Sequence, residues 1–230
     1  MDVFRSRNST AVHSYAAQWR QAVNPPGAPS GLYILEEWIP ETEEAELCKF
    51  LGQRPWADHM SAARPTQHFG YKYNRNGTLS THKKIAGDWG LLETYKARLE
   101  KEIPGVVIGQ ALANMYHQTT GIGAHTDKET DLVFGINIAG DINIVWTRLM
   151  MNPATGQAEN VKYEACIRRR SLYIMVDEAA TVWAHQINGI KSVRYPEYNP
   201  QSPQYGQLIH SVKKGENYGR ASITFREIVE

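Results

Sequence analysis

The chain has 230 residues, of which 42% are hydrophobic and 21% are charged, and its formal net charge is +1. Such a length fits one domain, with or without an N-terminal extension, and the near-zero charge gives no sign of a polyanionic partner. The only cysteines, Cys48 and Cys166, lie in no metal or redox spacing, which argues against a disulfide framework.

These totals predict an intracellular protein of a reducing compartment, either the cytoplasm or the nucleus, with an organelle as the alternative. The alternative comes from residues 1–30, which carry three arginines and a single acid, as organellar transit peptides do. No apolar run approaches the roughly 20 residues of a bilayer span, so no membrane association is expected. A monomer is the default expectation.

An N-terminal arm is predicted over residues 1–30, followed by a single domain over residues 31–230. The stretch 24–31 contains three prolines and two glycines, and this turn-rich composition is typical of a linker. A polar N-terminal arm is favoured over an organellar transit peptide for this segment.

The first part of the domain, residues 31–105, is predicted to supply helical support. Residues 32–35 are typical of a strand. A helix is expected from Pro40, because the glutamates that follow favour the positive end of a helix dipole. A second helix is expected after Asp88, with apolar residues on one face, and Pro104 ends it.

From residue 106 onward, short runs rich in Val, Ile, Tyr and Trp alternate with turns. The predicted strands are 106–116, 134–138, 142–146, 172–176, 182–187 and 221–229. Many short strands after two helices indicate an α+β fold that is mainly β, with an antiparallel sandwich or barrel buttressed by N-terminal helices. A jelly roll is one such solution, and periodicity alone does not choose it over another sandwich.

The first chemically informative cluster is His125-Thr126-Asp127. Side chains two positions apart in an extended segment point to the same face, so this imidazole and carboxylate can reach one ion. A lone His-x-Asp is more often a satisfied polar turn. His185 lies 60 residues further on, in an apolar run typical of a strand. Two histidines and a carboxylate form the facial triad of non-haem Fe(II) oxygenases, although zinc uses the same ligands.

Another cluster favours iron with a keto acid. Residues 220–226 alternate between polar and apolar, which puts Arg220 and Arg226 on one strand face. Two arginines can converge on one dianion, because each planar guanidinium binds both oxygens of a carboxylate. Asn114 and Tyr116 likewise share a face and can donate to a bound acid. The alternatives are a solvated strand face for the arginines and a buried aromatic for Tyr116.

The AlkB family of dioxygenases has a signature that these residues resemble in order. The matching residues are Asn114-x-Tyr116, His125-x-Asp127, His185 and Arg220-x5-Arg226. They span about half of the chain, and the ordered combination is specific although each piece is weak. Segments 31–34, 67–73 and 170–175 are also similar to sequences of this family.

The resemblance implies a double-stranded β-helix, or jelly roll, over residues 106–230 as the catalytic part. It also implies Fe(II), 2-oxoglutarate and O2, with iron bound by His125, Asp127 and His185. The enzyme would then be an Fe(II)- and 2-oxoglutarate-dependent dioxygenase.

The same resemblance implies how 2-oxoglutarate would bind. Arg220 would pair with the distal carboxylate of this keto acid, with help from Tyr116. Asn114 and Arg226 would lie near the end that chelates iron.

The resemblance further implies a lid over a flipped nucleotide, formed by the segment before the catalytic barrel. The candidate substrate contacts are Phe69, Tyr71 and Tyr73 for stacking, Arg64 and Lys72 for phosphates, and Glu129 for the base. Core packing of a strand is the alternative for the three aromatic residues. The runs Arg168–Arg170 and Lys213–Lys214 are further candidates for phosphate contacts, with a solvated surface as the alternative.

The leading functional hypothesis is oxidative demethylation of N-alkylated bases in RNA or DNA, with nucleic acid as the partner. A second hypothesis is an AlkB-fold oxygenase that acts on a protein side chain or on a modified wobble uridine of transfer RNA. A third is a non-catalytic β-sandwich that binds a ligand. Residues 188–210, rich in Pro, Tyr and Asn, are predicted to form a long surface loop that influences substrate choice.

Overall fold

The structure, a computed structural model, describes residues 7–19, 27–57, 64–73, 79–85, 89–127 and 130–227, with the backbone alone given for 72–73 and 79–85. Within these ranges the chain forms thirteen strands and four helices, which confirms the predicted class. The helices are α1 (Ser9–Ala17), α2 (Glu41–Gly52), α3 (Leu92–Glu102) and α4 (Glu178–Thr181). As predicted, α2 begins directly after Pro40, whereas Asp88 lies outside the described residues.

Two antiparallel sheets form the body of the fold. The larger sheet has the order β1 (Leu32–Leu35), β9 (Leu172–Val176), β6 (Leu132–Ile138), β13 (Gly219–Glu227), β4 (Ile108–His117), β2 (Thr66–Tyr73) and β3 (Leu79–Ile85). The smaller sheet has the order β5 (Ile122–His125), β10 (Ala184–Ile187), β7 (Ile142–Met151) and β8 (Ala158–Ile167). Strands β11 (Ser192–Pro196) and β12 (Leu208–Lys213) pair separately as a hairpin. Two packed sheets with supporting helices match the predicted jelly roll.

The larger sheet has a hydrophobic core on each of its faces. On one face, Phe134 and Phe225 pack in a cluster with Leu47 of α2 and Leu99 of α3. On the other face, the sheet packs against the smaller sheet, whose Trp146 is fully buried. Because side chains alternate along a strand, each central strand sends every second residue into the space between the sheets. This space holds the polar residues described below.

Helix α1 was not predicted from the sequence. Its Val12 and Tyr15 are buried in the same core as α2 and α3. Asn8, directly before the helix, donates hydrogen bonds to both carboxylate oxygens of the fully buried Glu227, at 2.8 and 2.9 Å. The described part of the N-terminal segment therefore packs on the domain, and the boundary drawn at residue 30 stays a prediction.

The contact of Asn8 with Glu227 gives a stability prediction. We expect Asn8→Ala to lower the free energy of unfolding by about 1–3 kcal/mol, because a buried carboxylate loses two hydrogen bonds where water cannot replace them. Urea denaturation measures this change. Asn160→Ala, on an exposed position of β8, is the control and should shift stability by less than about 0.5 kcal/mol. Equal midpoints for both variants and the wild type would show that α1 is not fastened in this way.

The long surface loop predicted over residues 188–210 is wrong, because β11 and the start of β12 lie within it. The hairpin docks on the outer face of the smaller sheet, and its Val193 is 3% exposed. Asn143 of β7 exchanges two hydrogen bonds with the backbone of Arg194, at 2.8 and 2.7 Å. The short β11 ends in a proline, and this masked its strand character in the sequence.

Two expectations from the sequence concern compartment and membrane. Cys48 is half-buried and Cys166 is buried, and both are free thiols. Over the described ranges, the chain contains no helix with the length and apolar character needed to cross a bilayer.

Candidate metal and cosubstrate site

Three side chains converge between the sheets, namely His125, Asp127 and His185. One potential ligand atom from each lies within 4.8 Å of the other two. His125 ends β5 and is paired in register with His185 of β10, so the two imidazole rings lie 4.3 Å apart between centroids. Asp127 follows closely after β5, with its Oδ2 3.7 Å from Nε2 of His185. Two imidazoles and one carboxylate on one side of a point match the facial arrangement used for Fe(II).

The two oxygens of the Asp127 carboxylate have different surroundings. Its Oδ1 accepts hydrogen bonds from Nε and Nη2 of Arg226, at 3.2 and 2.9 Å. Its Oδ2 is buried and accepts no hydrogen bond from any residue that the structure describes. Burial works to raise the pKa of Asp127, yet Arg226 and the two imidazoles hold it below its ordinary value. A buried anion with one oxygen left over fits a metal ligand.

Both imidazoles are set up to offer a lone pair. Nδ1 of His125 lies 2.8 Å from the carbonyl oxygen of Gly123, and donation there leaves Nε2 unprotonated. Burial lowers the pKa of His185 to about 4, so this side chain is neutral at physiological pH. Neutral imidazole is the form that binds metals.

A second cluster surrounds Arg220 of β13, which is 1% exposed. Its Nε donates to Oδ1 of Asn137 at 2.5 Å, and its guanidinium lies 4.6 Å from the centre of the Tyr116 ring. Its Nη1 is buried and has no hydrogen-bond partner within the described ranges. A buried guanidinium with an unused donor fits a carboxylate, which satisfies the donor and balances the charge. Asn114, opposite Ser222 in the register, lies between the two arginines of β13.

Tyr173, Gly135 and Asn137 also belong to this space, although the sequence analysis did not select them as site residues. Tyr173 of β9 is paired with Gly135 of β6, and a β-carbon at Gly135 would overlap the Tyr173 ring. The phenol is buried, and burial raises the pKa of Tyr173, so the hydroxyl stays protonated. The ring thus forms part of the wall between Arg220 and Asp127. A glycine inside a strand signals such close approach, and this was the available clue.

The 2OG-Fe(II) oxygenase superfamily has a sequence profile that matches residues 31–226 of this chain. The chain belongs to this superfamily. Fe(II), 2-oxoglutarate and O2, the predicted cofactors, are those of the family, and the converged triad fits the metal.

Relatives confirm the AlkB-like resemblance. The tRNA (carboxymethyluridine(34)-5-O)-methyltransferases ALKBH8 of Macaca fascicularis and Mus musculus are each 25% identical to the chain, over 227 and 229 residues. Each match covers 92% of this chain but 32% of the relative, so the chain spans about a third of the length of these proteins.

Solved structures confirm the jelly roll of this AlkB-like oxygenase. OsALKBH1 aligns with a TM-score of 0.55 at 14% identity, covering 87% of this chain and 97% of that one. A 2OG-Fe(II) family oxidoreductase from Burkholderia pseudomallei gives 0.54 at 11% identity, over 94% and 89%. A Pseudomonas putida prolyl-4-hydroxylase gives 0.51 at 10% identity, over 95% and 99%. These similarities concern the fold alone.

The residues that the sequence suggested as substrate contacts fall in different places. Arg64 reaches the site, because its Nη1 donates to Oδ1 of the buried Asn114. Tyr71 is buried in β2. The side chains of Lys72 and Tyr73, and all of Glu129, lie outside the described residues.

The structure corrects the assignment of Phe69 as a base-stacking residue. Phe69 is 3% exposed and packs in the core that the larger sheet shares with α2 and α3, against Phe50 and Trp89. Its register partner on β4, Ala111, belongs to the same core, whereas Asn114 points to the other face. A side chain on the helix-facing side of the larger sheet cannot stack on a base at the metal, which lies on the opposite side.

The arginine run 168–170, suggested as a source of phosphate contacts, forms ion pairs with acids of this chain. Arg169 pairs with Glu44 at 2.5 Å, and its neighbours on either side pair with other glutamates. These acids precede or open α2, so the run fastens the turn before β9 to the helical layer. Each of these arginines is therefore engaged in an ion pair within the protein.

Gly135→Ala tests the packing of Tyr173 in this oxygenase. We expect the variant to lose about 1–3 kcal/mol of unfolding free energy, because the added methyl group forces the ring out of its place. It should also weaken 2-oxoglutarate binding, since the displaced ring enters the space beside Arg220. Thermal denaturation and calorimetry measure the two effects. Gly52→Ala, where a β-carbon meets nothing within 4 Å, is the control. Unchanged affinity in Gly135→Ala would remove Tyr173 from the site.

Proposed function

We propose that the chain oxidises a C–H bond of a base in nucleic acid, with an N-methyl group as the leading target. The observation that carries the oxygenase part is one space that holds two features. These are the triad of His125, Asp127 and His185, and the Nη1 of Arg220, which has no hydrogen-bond partner among the described residues. His125, Asp127 and His185 would hold Fe(II). Arg220 would bind the distal carboxylate of 2-oxoglutarate.

The residues of the chain would bind, orient and shield the reactants. Fe(II), 2-oxoglutarate and O2 supply the oxidation, in which the methyl group becomes hydroxymethyl while the keto acid becomes succinate and CO2. Arg226 keeps Asp127 ionised and orients it through two hydrogen bonds to Oδ1. Tyr116 and Tyr173 line the space with buried rings and exclude water from it. A hydroxymethyl group on nitrogen then releases formaldehyde and leaves the unmethylated base.

Two observations support nucleic acid as the substrate. Arg64 contacts the buried Asn114 and forms no ion pair with any described residue, so its charge is available to an anion such as a phosphate. The ALKBH8 relatives are named for tRNA modification and align with nearly the whole chain. Arg64 would therefore contact the phosphate backbone of a nucleic acid whose base enters the site.

A second candidate is hydroxylation of a modified wobble uridine. The names of the ALKBH8 relatives, which refer to carboxymethyluridine at position 34 of tRNA, favour this candidate. The two candidates differ in product, because a hydroxylated carbon side chain on uridine releases no formaldehyde.

The test offers the iron-loaded enzyme three substrates: N-methylated oligonucleotides, tRNA that carries carboxymethyl-type wobble uridines, and a mixture of peptides as the comparison. Succinate reports turnover, formaldehyde reports demethylation, and mass spectrometry of nucleosides reports added oxygen. Demethylation predicts equal amounts of succinate and formaldehyde with the methylated oligonucleotide. Added oxygen on the uridine without formaldehyde would select the second candidate. Turnover with a peptide and with neither nucleic acid would contradict both.

A further inference from the structure

A buried lysine, Lys214, lies near the Arg220 cluster and is not one of the metal or cosubstrate residues. Lys214 is 6% exposed, whereas its neighbour Lys213 is exposed. Its Nζ donates to the carbonyl oxygen of Gln118 at 3.2 Å and lies 4.7 Å from the centre of the Tyr218 ring. A buried ammonium group is expensive, so its position needs a reason. It also excludes Lys214 from the phosphate contacts predicted for the pair 213–214.

The surroundings of Lys214 connect it to Arg220. A β-carbon at Gly140 would lie 3.2 Å from Cε2 of Tyr218 and 3.4 Å from Cβ of Arg220, so the tyrosine ring and the arginine flank the same point. The Tyr218 ring thus contacts Lys214 and also lies next to Arg220. Burial, and then the charge of Arg220, lowers the pKa of the Lys214 ammonium group. The positive charges of Lys214 and Arg220 therefore repel each other.

No carboxylate of the described chain compensates these two charges. Neither Lys214 nor Arg220 takes part in an ion pair within the described ranges. The carboxylate of Asp141, whose backbone accepts from Tyr218, is occupied by the Arg169 backbone at 2.7 Å and by the Tyr195 hydroxyl at 2.8 Å. Two like charges that are partly withdrawn from water repel each other unless an anion joins them.

We propose that Lys214 is a second cation of the subsite for the distal carboxylate of 2-oxoglutarate. Together with Arg220, it makes the barrel selective for a keto acid that carries a second carboxylate. This inference rests on the proposed placement of 2-oxoglutarate at Arg220. Lys214 attracts the carboxylate and packs against the Tyr218 ring, whereas Arg220 binds the carboxylate through its planar fork.

The test compares two keto acids that differ in the distal carboxylate. Isothermal titration calorimetry with Mn(II) in place of Fe(II) gives dissociation constants for 2-oxoglutarate and for 2-oxobutyrate, which lacks that group. Lys214→Met removes the charge and keeps the length, Lys214→Gln removes the charge and keeps a donor toward Gln118, and Lys214→Arg keeps the charge. Lys213→Met is the matched control. Melting temperatures report folding separately.

We expect both neutral variants to raise the dissociation constant of 2-oxoglutarate about tenfold, because the distal carboxylate loses its attraction to one of two partly buried cations. The dissociation constant of 2-oxobutyrate should stay within about twofold of the wild-type value. Lys214→Arg and Lys213→Met should keep the wild-type ratio of the two constants. An unchanged ratio in both neutral variants would overturn the inference and leave the placement at Arg220 intact. A folded wild type that binds neither keto acid would overturn the placement, and the inference with it.

Discussion

His185→Ala is expected to abolish metal binding while the protein stays folded. The variant removes one of three ligands, so Fe(II) or Mn(II) affinity should fall by more than about a hundredfold, beyond the usual effect of losing a residue that only supports a ligand. Stability should change little, because the imidazole is partly exposed and its buried Nδ1 has no hydrogen-bond partner among the described residues. Calorimetric titration with Mn(II) and thermal denaturation measure the two quantities. His117→Ala, on the exposed end of β4, is the control.

Asp127→Ala should differ from His185→Ala in stability although both lose the metal. Without the carboxylate, the buried Arg226 loses its ion pair and two hydrogen bonds with Asp127. Removal of one partner of a buried ion pair costs about 3–5 kcal/mol. If both variants bound Mn(II) as the wild type does, the site assignment would be wrong. If both were equally stable, Asp127 would not be paired with Arg226 as described.

Arg220→Met is expected to raise the dissociation constant of 2-oxoglutarate by about a hundredfold, since loss of one partner of a buried charge pair costs about 2–5 kcal/mol. Metal affinity should stay near that of the wild type, because Arg220 contacts Asn137 and Tyr116 rather than the triad. Titration of the Mn(II)-loaded variant measures the first effect, and titration of the apoprotein measures the second.

Arg194→Met is a suitable control for Arg220→Met, because Arg194 is half-exposed and pairs with Glu164 on the outer face of the smaller sheet. Its 2-oxoglutarate affinity should equal that of the wild type. Arg220→Lys should recover part of the affinity, since it keeps the charge but loses the planar fork. Wild-type affinity in Arg220→Met would move the cosubstrate to another part of the barrel.

The parts of the site that follow local rules could be predicted from the sequence. Alternation along β13 places Arg220 and Arg226 on one face, and the structure has both buried on the face that carries Asn114. The two-residue spacing of His125 and Asp127 likewise needs only an extended backbone. Each of these relations depends on residues that are close together in the chain, so the sequence pattern alone predicts it.

The parts that depend on pairing between distant strands could not be predicted in this way. Tyr173 reaches the site because β9 is paired with β6 in a register that sets its ring over Gly135. Asn137 orients Arg220 because their strands are neighbours in the sheet. A register is decided by the whole fold, and single-strand periodicity does not contain it.

Phe69 shows a third limit. Strand β2 lies within the larger sheet with apolar or buried residues on both faces, so alternation does not tell which face meets the site. Phe69 lies on the face that packs against the helices, and this packing is not visible in the pattern of the strand itself. Helix α1 escaped prediction for a related reason: it is short, and it is held by contacts such as Asn8 with Glu227, at the far end of the chain.

The central claim is that one space binds Fe(II) and 2-oxoglutarate together. Anaerobic addition of both to the protein tests it most directly, by the weak visible absorption of the iron–keto acid chelate, with His125→Ala and Arg220→Ala measured beside the wild type. The geometry predicts a band in the wild type that both variants lose. A correctly folded wild type with no band would contradict the claim and favour a barrel that binds another ligand without catalysis.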